Sequence, residues 1–452
     1  MASRSRFARR VYVVSDCPDF KPPYTTGGTE RQLSALALEL EQCNVDVTVL
    51  ARAPTDEPAG SSALGGAIRT VYVPPPPRSK GAGWASLAPN LKFILNVSRY
   101  LLHARHRYDA LIVSGFRQLA LPIALLAKLA GKRCIVRIET TWDLDDDLSA
   151  ESNARIGGVA RLVTRTLIRA TRRVAFALAD RVVAFADPLE ERLVEAGAPT
   201  AKVVQIPNGV DLERFAPVPP AAQRALREQL RLPLDKSIFI YTGRICRSKG
   251  VRDIVRLWER CAERGDLYLL LVGSDSGGHD SCEAEVREFA RRHAACVRVT
   301  GTVANVAQYL KAADVFLFLS HGEAFGLSVL EAIATGLPCI ATDVGCVRQL
   351  VRHHESGAIV PLGAETRLLL SELDWMQSQR ARWRQMGARG RAQVIGSYAL
   401  GAVARRYAQL ISGVEPLDGR IMDDRDDRPT PIDPFVRRPR RTHHRRAAPR
   451  AG

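Results

Sequence analysis

Two carboxylates, Glu323 and Glu331, stand on either side of a segment suited to hold phosphate. The apolar run Ala313–Leu319 has the length of a buried parallel strand, and the helix-like run Phe325-Gly326-Leu327-Ser328-Val329-Leu330-Glu331-Ala332 follows it across a glycine-containing turn. The first turn of such a helix presents unpaired N–H groups and the positive end of the helix dipole, a natural seat for an anion. Glu323 precedes that seat, and Glu331 lies within the helix among Val329, Leu330, Ala332 and Ile333. A bound nucleoside-diphosphate sugar would place its diphosphate on the amides, its sugar toward one acid and its ribose toward the other. A second cationic strand–loop–helix unit lies upstream. Arg244 follows the expected strand Ser237–Thr242, and Lys249 comes just before Gly250 and the next helix. Two fixed cations there could neutralise a diphosphate as a glycosyl bond breaks. Glycine-containing strand–loop–helix units are common, and most arginines and lysines are surface charges. The spacing alone therefore leaves an ordinary α/β loop as the competing reading.

The pattern resembles that of the retaining glycosyltransferases with the GT-B fold, specifically family 4. Their Glu-x7-Glu signature is matched by Glu323-Ala324-Phe325-Gly326-Leu327 through Glu331, with Ala324 where glycine is commoner. Gly27-Gly28-Thr29-Glu30-Arg31-Gln32 resembles the family's N-terminal Gly-Gly loop and following helix. Ile206–Asp211 resembles the passage between domains, Gly243–Gly250 the Gly-Arg…Lys-Gly loop, and Thr342–Gly345 the strand end after the signature helix. The resemblance runs from about Val11 to about Leu410. It implies an α/β, GT-B fold of two Rossmann-like parallel-sheet domains facing across a cleft, with residues 1–206 on the acceptor side and 207–395 on the donor side. It also implies a helix at 396–415 that crosses back to the first domain.

By the same resemblance Glu323 serves the transferred sugar and is the catalytic candidate. The donor would be held by Gly27, Gly28, Arg244, Lys249, Phe325, Gly326, Leu327 and Glu331. The resemblance implies transfer with retention, no cofactor and no metal, from a nucleotide-sugar donor to a hydroxyl acceptor such as a saccharide, a lipid-linked sugar or a small molecule. Many relatives carry a histidine near the end of the strand at Val136–Ile138. Here Glu139 stands there, so Glu139 and His321 are candidate sugar or acceptor contacts. The acidic group Asp143, Asp145, Asp146 and Asp147 reads as a loop or helix-cap cluster, and His321, His353 and His354 show no metal-ligand spacing with cysteine or acids.

The elements that must position these residues fit the same picture. At 452 residues the chain exceeds what one core usually covers. Expected strands at Val11–Ser15, Val45–Leu50, Ala110–Val113, Arg133–Ile138 and Asp180–Phe185 alternate with helices, which implies a parallel sheet. The last of these is expected to close the first half, with a loop region holding Gly65-Gly66 and Pro74–Pro77 after Leu50. The second half repeats the theme. Ligands in such sheets bind beyond the carboxyl ends of the strands, where every motif above falls.

The net charge is +17, with seven arginines and no acid from Arg437 onward. Residues 416–452 read as a disordered basic tail. The expected helix 158–178 carries Arg161, Arg165, Arg169 and Arg172 on one face and apolar residues opposite. That helix or the tail could meet an anionic membrane surface. Nucleic acid is not the expected partner, because no reader module or aromatic–basic interleaving is present. No apolar run reaches the ~18 residues of a membrane span, and the basic start leads into too short an apolar run for a signal peptide. Nine scattered cysteines without a Cys-x-x-Cys pair read as reduced thiols. These features predict a cytoplasmic protein, peripheral at most to the inner membrane face. The competing functions are another GT-B enzyme such as a sugar-nucleotide epimerase or a phosphorylase, a non-catalytic assembly scaffold, or a basic nucleic-acid-binding protein.

Overall fold

The computed structural model describes residues 9–15, 28–52, 61–64, 68–73, 84–146, 158–275, 277 and 280–414. Gly27, Asp147, the Pro74–Pro77 run and the basic tail lie outside them. Two sheets organise the chain. The first has eight strands: β1 (Arg9–Ser15), β2 (Val45–Arg52), β3 (Ser61–Leu64), β4 (Ile68–Val73), β5 (Ala110–Ser114), β6 (Arg133–Arg137), β7 (Arg181–Ala184) and β8 (Val203–Gln205). Their order is β3-β4-β2-β1-β5-β6-β7-β8. The second has β9 (Ser237–Thr242), β10 (Leu267–Val272), β11 (Val297–Val299), β12 (Val315–Phe318), β13 (Cys339–Thr342) and β14 (Gly357–Val360), in the order β11-β10-β9-β12-β13-β14.

Every pairing is parallel except β3 with β4, which runs antiparallel at the edge of the first sheet. Parallel strands must be joined by crossovers, and helices on both faces bury them. All six residues of β9 and of β10 are accordingly buried, with Trp258, Phe289 and Met376 packed over the second sheet. The expected parallel arrangement therefore holds with one antiparallel edge. The first half closes on β8 rather than on the strand at Arg181–Ala184, and the stretch after Leu50 contributes β3 and β4.

The helix Leu400–Ser412 packs along the first helix, Gly28–Gln42, and also touches β1 and β6. Arg133 of β6 donates to the carbonyl of Leu410 at 3.1 Å. The strand-like pairing of Val210 with Ala399 brings the two connecting segments together. Val210 N–H donates to Tyr398 O at 2.8 Å, and Leu400 N–H to Val210 O at 3.0 Å.

The helix Gly158–Leu178 does not divide into an outward basic face and an inward apolar one: Arg161 and Arg169 are exposed, but Arg172 is not. Arg172 is buried and donates to Leu144 O at 2.6 Å and to Asp146 at 2.9 Å, while Arg169 bonds the same carboxylate at 2.7 Å. Asp145 pairs with Arg192 at 3.0 Å, and Asp143 accepts from the Thr140 hydroxyl at 3.1 Å. The acidic group is thus partly a loop cap and partly the counter-charge of this helix. Val159, Leu162, Val163 and Leu167 also face outward, at 81%, 66%, 54% and 59% exposure.

Candidate active site

The signature helix spans Leu327–Ala334 and starts at Gly326, whose φ of 106° is the left-handed conformation that favours glycine. Leu330 N–H is the first to bond back into the helix, to Gly326 O at 3.3 Å, so the amides before it lack an intrahelical partner. The turn after β13 supports this start from below. Cys346 N–H donates to Phe325 O at 2.8 Å, and Gly345, at φ 58°, lies so close that any Cβ would overlap that carbonyl. The loop after β9 is docked on the same region. His321 N–H donates to Ser248 O at 2.9 Å, and Gly250, at φ 67°, presses on the carbonyl of Leu319.

These contacts bring the predicted cations and acids together. Lys249 Nζ lies 2.7 Å from Glu323 Oε1, with both side chains mostly buried. Arg244 is 58% exposed at the end of β9, and its nearest acid is the buried Asp275 at 3.9 Å. The buried Tyr241 hydroxyl donates to the Arg244 carbonyl at 2.6 Å, and burial raises that phenol well above its ordinary value. Gly28, from the first half, sits directly over the seat: a Cβ there would stand 2.9 Å from Leu327 Cδ1. Gly28 thus packs closely on the first residue of the signature helix, and Gly27 is not described.

Glu331 has a partner that spacing did not suggest. Arg31, one turn into the first helix, places its guanidinium 3.1 Å from Glu331 Oε1. The carboxylate is 12% exposed, and the cost of burying it among apolar neighbours is offset by this cation from the first half of the chain. Each signature acid thus holds one cation, Lys249 from the second half and Arg31 from the first.

Glu139 and His321 are placed differently. Glu139 accepts from Ser114 Oγ at 2.7 Å and from Arg137 Nε at 2.8 Å, and Arg137 also donates to Asn208 Oδ1 at 3.1 Å. Burial alone would lower the pKa of the fully enclosed Arg137, but the adjacent Glu139 carboxylate and the Tyr407 hydroxyl leave it raised. Its guanidinium lies 4.9 Å from the Phe185 ring centre, and Phe185 meets Phe325 edge-on at 6.4 Å. Sequence reasoning missed this column. Its members are scattered across the chain, and only the unusual Glu139 pointed to it. His321 Nε2 is 2.5 Å from Asp253, at the surface beside the Lys249 loop.

One cluster departs from the expected absence of metal-ligand spacing. His353, His354 and Glu372 bring their ligand atoms within 4.8 Å of one another. His354 Nε2 is 2.9 Å from Glu372, and His353 Nδ1 accepts from Ile359 N–H at 3.0 Å. The two rings stack at 3.7 Å, which sets their in-plane lone pairs side by side rather than toward one point. A cavity of about 550 Å³ lies elsewhere, at the opposite end of the second sheet beside Asp314, Pro338 and Arg384. The convergent charges, not that cavity, mark the candidate site.

The family model "Glycosyl transferase 4-like domain" matches residues 27–209, and "Glycosyl transferases group 1" matches residues 236–373. The chain belongs to the GT-B glycosyltransferases of family 4. Among curated relatives, a D-inositol 3-phosphate glycosyltransferase of Kineococcus radiotolerans is 36% identical over 239 residues, which cover 48% of this chain and 54% of the relative. The chain thus spans about half the length of the first curated relatives it matches. Sucrose-phosphate synthase from Thermosynechococcus elongatus superposes with a TM-score of 0.71 at 22% identity, covering 90% of this chain and 98% of that one. HepE from Anabaena, solved with UDP-glucose, gives 0.67 at 17% identity, covering 90% and 100%. Both likenesses show the GT-B fold for this glycosyltransferase-family chain.

Proposed function

We propose that this protein transfers a sugar from a nucleoside-diphosphate donor to a hydroxyl acceptor, with retention of anomeric configuration and without a metal. The observation that carries this reading is the pairing of both signature acids with cations, one before and one within a single helix whose first residue meets a glycine from the other half. The donor diphosphate lies against the amides before Leu330, with Arg244 and Lys249 taking its charge. Glu331 receives the ribose hydroxyls, and Glu323 faces the sugar. As the bond from the anomeric carbon to the diphosphate breaks, the acceptor oxygen bonds to the same face of that carbon. The acceptor's proton passes to the departing phosphate oxygen, so no separate base is required. Electrostatic stabilisation of that leaving group is the chief contribution of the two cations. Arg137 and Ser114 occupy Glu139, which acts by holding the strand end rather than by taking a proton.

UDP-glucose in the HepE structure makes a uridine diphosphate donor the first to test. A panel of sugar nucleotides in a thermal-shift assay should reveal a donor, because a ligand of the native state raises its melting temperature by mass action. Proton NMR of the transferred sugar should then show the donor's own anomeric configuration. An inverted product overturns the mechanism, and a panel without any stabilising donor overturns the function.

No helix among the described residues is long and apolar enough to cross a membrane. We infer a peripheral contact with anionic lipid through Val159, Leu162, Val163 and Leu167, which are all more than half exposed on one helix. Leu162→Glu with Leu167→Glu should abolish co-sedimentation with phosphatidylglycerol vesicles, and unchanged co-sedimentation contradicts the inference.

A further inference from the structure

Arg31 has no assigned role, yet it is the ion-pair partner of the acid proposed to hold the ribose. It is carried by the Gly28–Gln42 helix, whose first residue abuts Leu327 at the start of the signature helix. That contact fixes the distance from the first sheet to the seat. The 3.1 Å pair therefore joins the two halves at the residue proposed above to hold the ribose. Among the described residues Arg31 forms no other ion pair or hydrogen bond, so its guanidinium is not tied to a structural task within its own half. The Glu331 side chain is 12% exposed, and one of its oxygens is committed to Arg31. The carboxylate is then held in one rotamer with the other oxygen left to accept. A ribose presents two adjacent hydroxyls, and a carboxylate aimed by a fixed cation can receive them without first losing rotamer freedom.

We propose that Arg31 is a donor-positioning residue, delivered by the acceptor-side half, that aims Glu331 at the ribose hydroxyls. It deepens the function proposed above and rests on it. Arg31 does not touch the reacting carbon. It acts through Glu331, and its effect should be confined to nucleotides that carry both ribose hydroxyls. A cation that served only the general charge of the site, or only the packing of the two halves, would not distinguish a ribonucleotide from its dideoxy counterpart.

The test is a calorimetric titration of the full chain with uridine, guanosine and adenosine diphosphate, then with the 2′,3′-dideoxy form of whichever binds. Arg31→Gln should weaken the ribonucleotide by roughly tenfold, the scale of one charge-assisted contact, and change the dideoxy nucleotide by less than twofold. Arg31→Lys, which keeps the charge, should recover part of the loss. Glu331→Gln combined with Arg31→Gln should bind no more weakly than Glu331→Gln alone, because the two residues act as one unit. Thermal unfolding of each variant checks that it folds. If Arg31→Gln binds the ribonucleotide as the parent does, or if both nucleotides lose the same factor, the proposal is overturned while the donor site stands. A parent that binds none of the three diphosphates overturns the proposed function, and this inference with it.

Discussion

Gly250→Ala probes the joint on which the proposed donor site depends. Gly250 has φ 67°, and a Cβ there would overlap the carbonyl oxygen of Leu319 at the end of β12. Left-handed backbone costs a non-glycine residue about 1–2 kcal/mol. Relieving the overlap must also move the Lys249 loop away from the Ser320–Glu323 segment. Two bonds would be lost, His321 N–H to Ser248 O at 2.9 Å and Ser320 Oγ to Ser248 O at 3.3 Å. At about 0.5–1.5 kcal/mol each, the total destabilisation comes to about 2–5 kcal/mol. Gly363 supplies the control, because its φ is 77° and a Cβ added there would meet nothing within 4 Å. Gly363→Ala should therefore show only the backbone cost of about 1–2 kcal/mol. Thermal unfolding should rank parent, Gly363→Ala and Gly250→Ala in that order. Nucleoside diphosphate affinity should fall only in Gly250→Ala, because the 2.7 Å contact from Lys249 to Glu323 is carried by the displaced loop. Equal melting temperatures for the two variants, or parental affinity in Gly250→Ala, would refute the reasoning.

Arg244→Ala and Lys249→Ala should each weaken nucleoside diphosphate binding by about 1.5–3 kcal/mol, the range for hydrogen bonds to charged groups, as read by calorimetry. Unchanged affinity in both would remove them from the site. Asp146 should make stability acid-sensitive. Hydrogen bonds from Arg169 and then Arg172 hold its carboxyl below the ordinary value, so the native state binds its proton less readily than the unfolded chain. The stabilisation is therefore complete above about pH 4, and it is lost as pH falls through the lowered native value. Asp146→Asn should lower the melting temperature at pH 7 and flatten its decline between about pH 5 and pH 3. An unaltered pH profile would show that the pair contributes nothing.

The fold is legible in the sequence where strands are fully buried. The apolar runs of β1, β9, β10 and β12 allow little else, and Gly243, Gly273 and Gly322 follow the ends of β9, β10 and β12. The short strands β3, β4 and β8 are not legible. The edge pair β3–β4 lies in a stretch of mixed residues, and the three residues of β8 carry too little pattern. Arg244, Lys249 and Glu323 can be read because each lies in a loop that follows a strand, and Glu331 because it sits in the helix after such a loop. Arg31 stands out in the sequence only as a member of the Gly-Gly motif, since its pairing with Glu331 joins two sheets across most of the chain. The same limit hides Glu372 beside His353 and His354. The helix Gly158–Leu178 shows a different failure. Periodicity separates a basic from an apolar face but does not say that most of both stays in solvent. Asp146 pairs with Arg169 and Arg172, yet of the four arginines on the basic face only Arg172 is buried.

The division of labour between Glu323 and Glu331 is the central claim, and paired measurements on Glu323→Gln and Glu331→Gln test it most directly. For each variant, nucleoside diphosphate affinity is measured by calorimetry and sugar transfer by product formation from the donor. Glu323→Gln should keep affinity within about twofold of the parent. Its turnover should fall by at least about 100-fold, the effect of removing about 2.7 kcal/mol of transition-state stabilisation. Glu331→Gln should weaken the bare diphosphate by roughly tenfold. The same profile in both variants, or parental turnover in Glu323→Gln, would contradict the account.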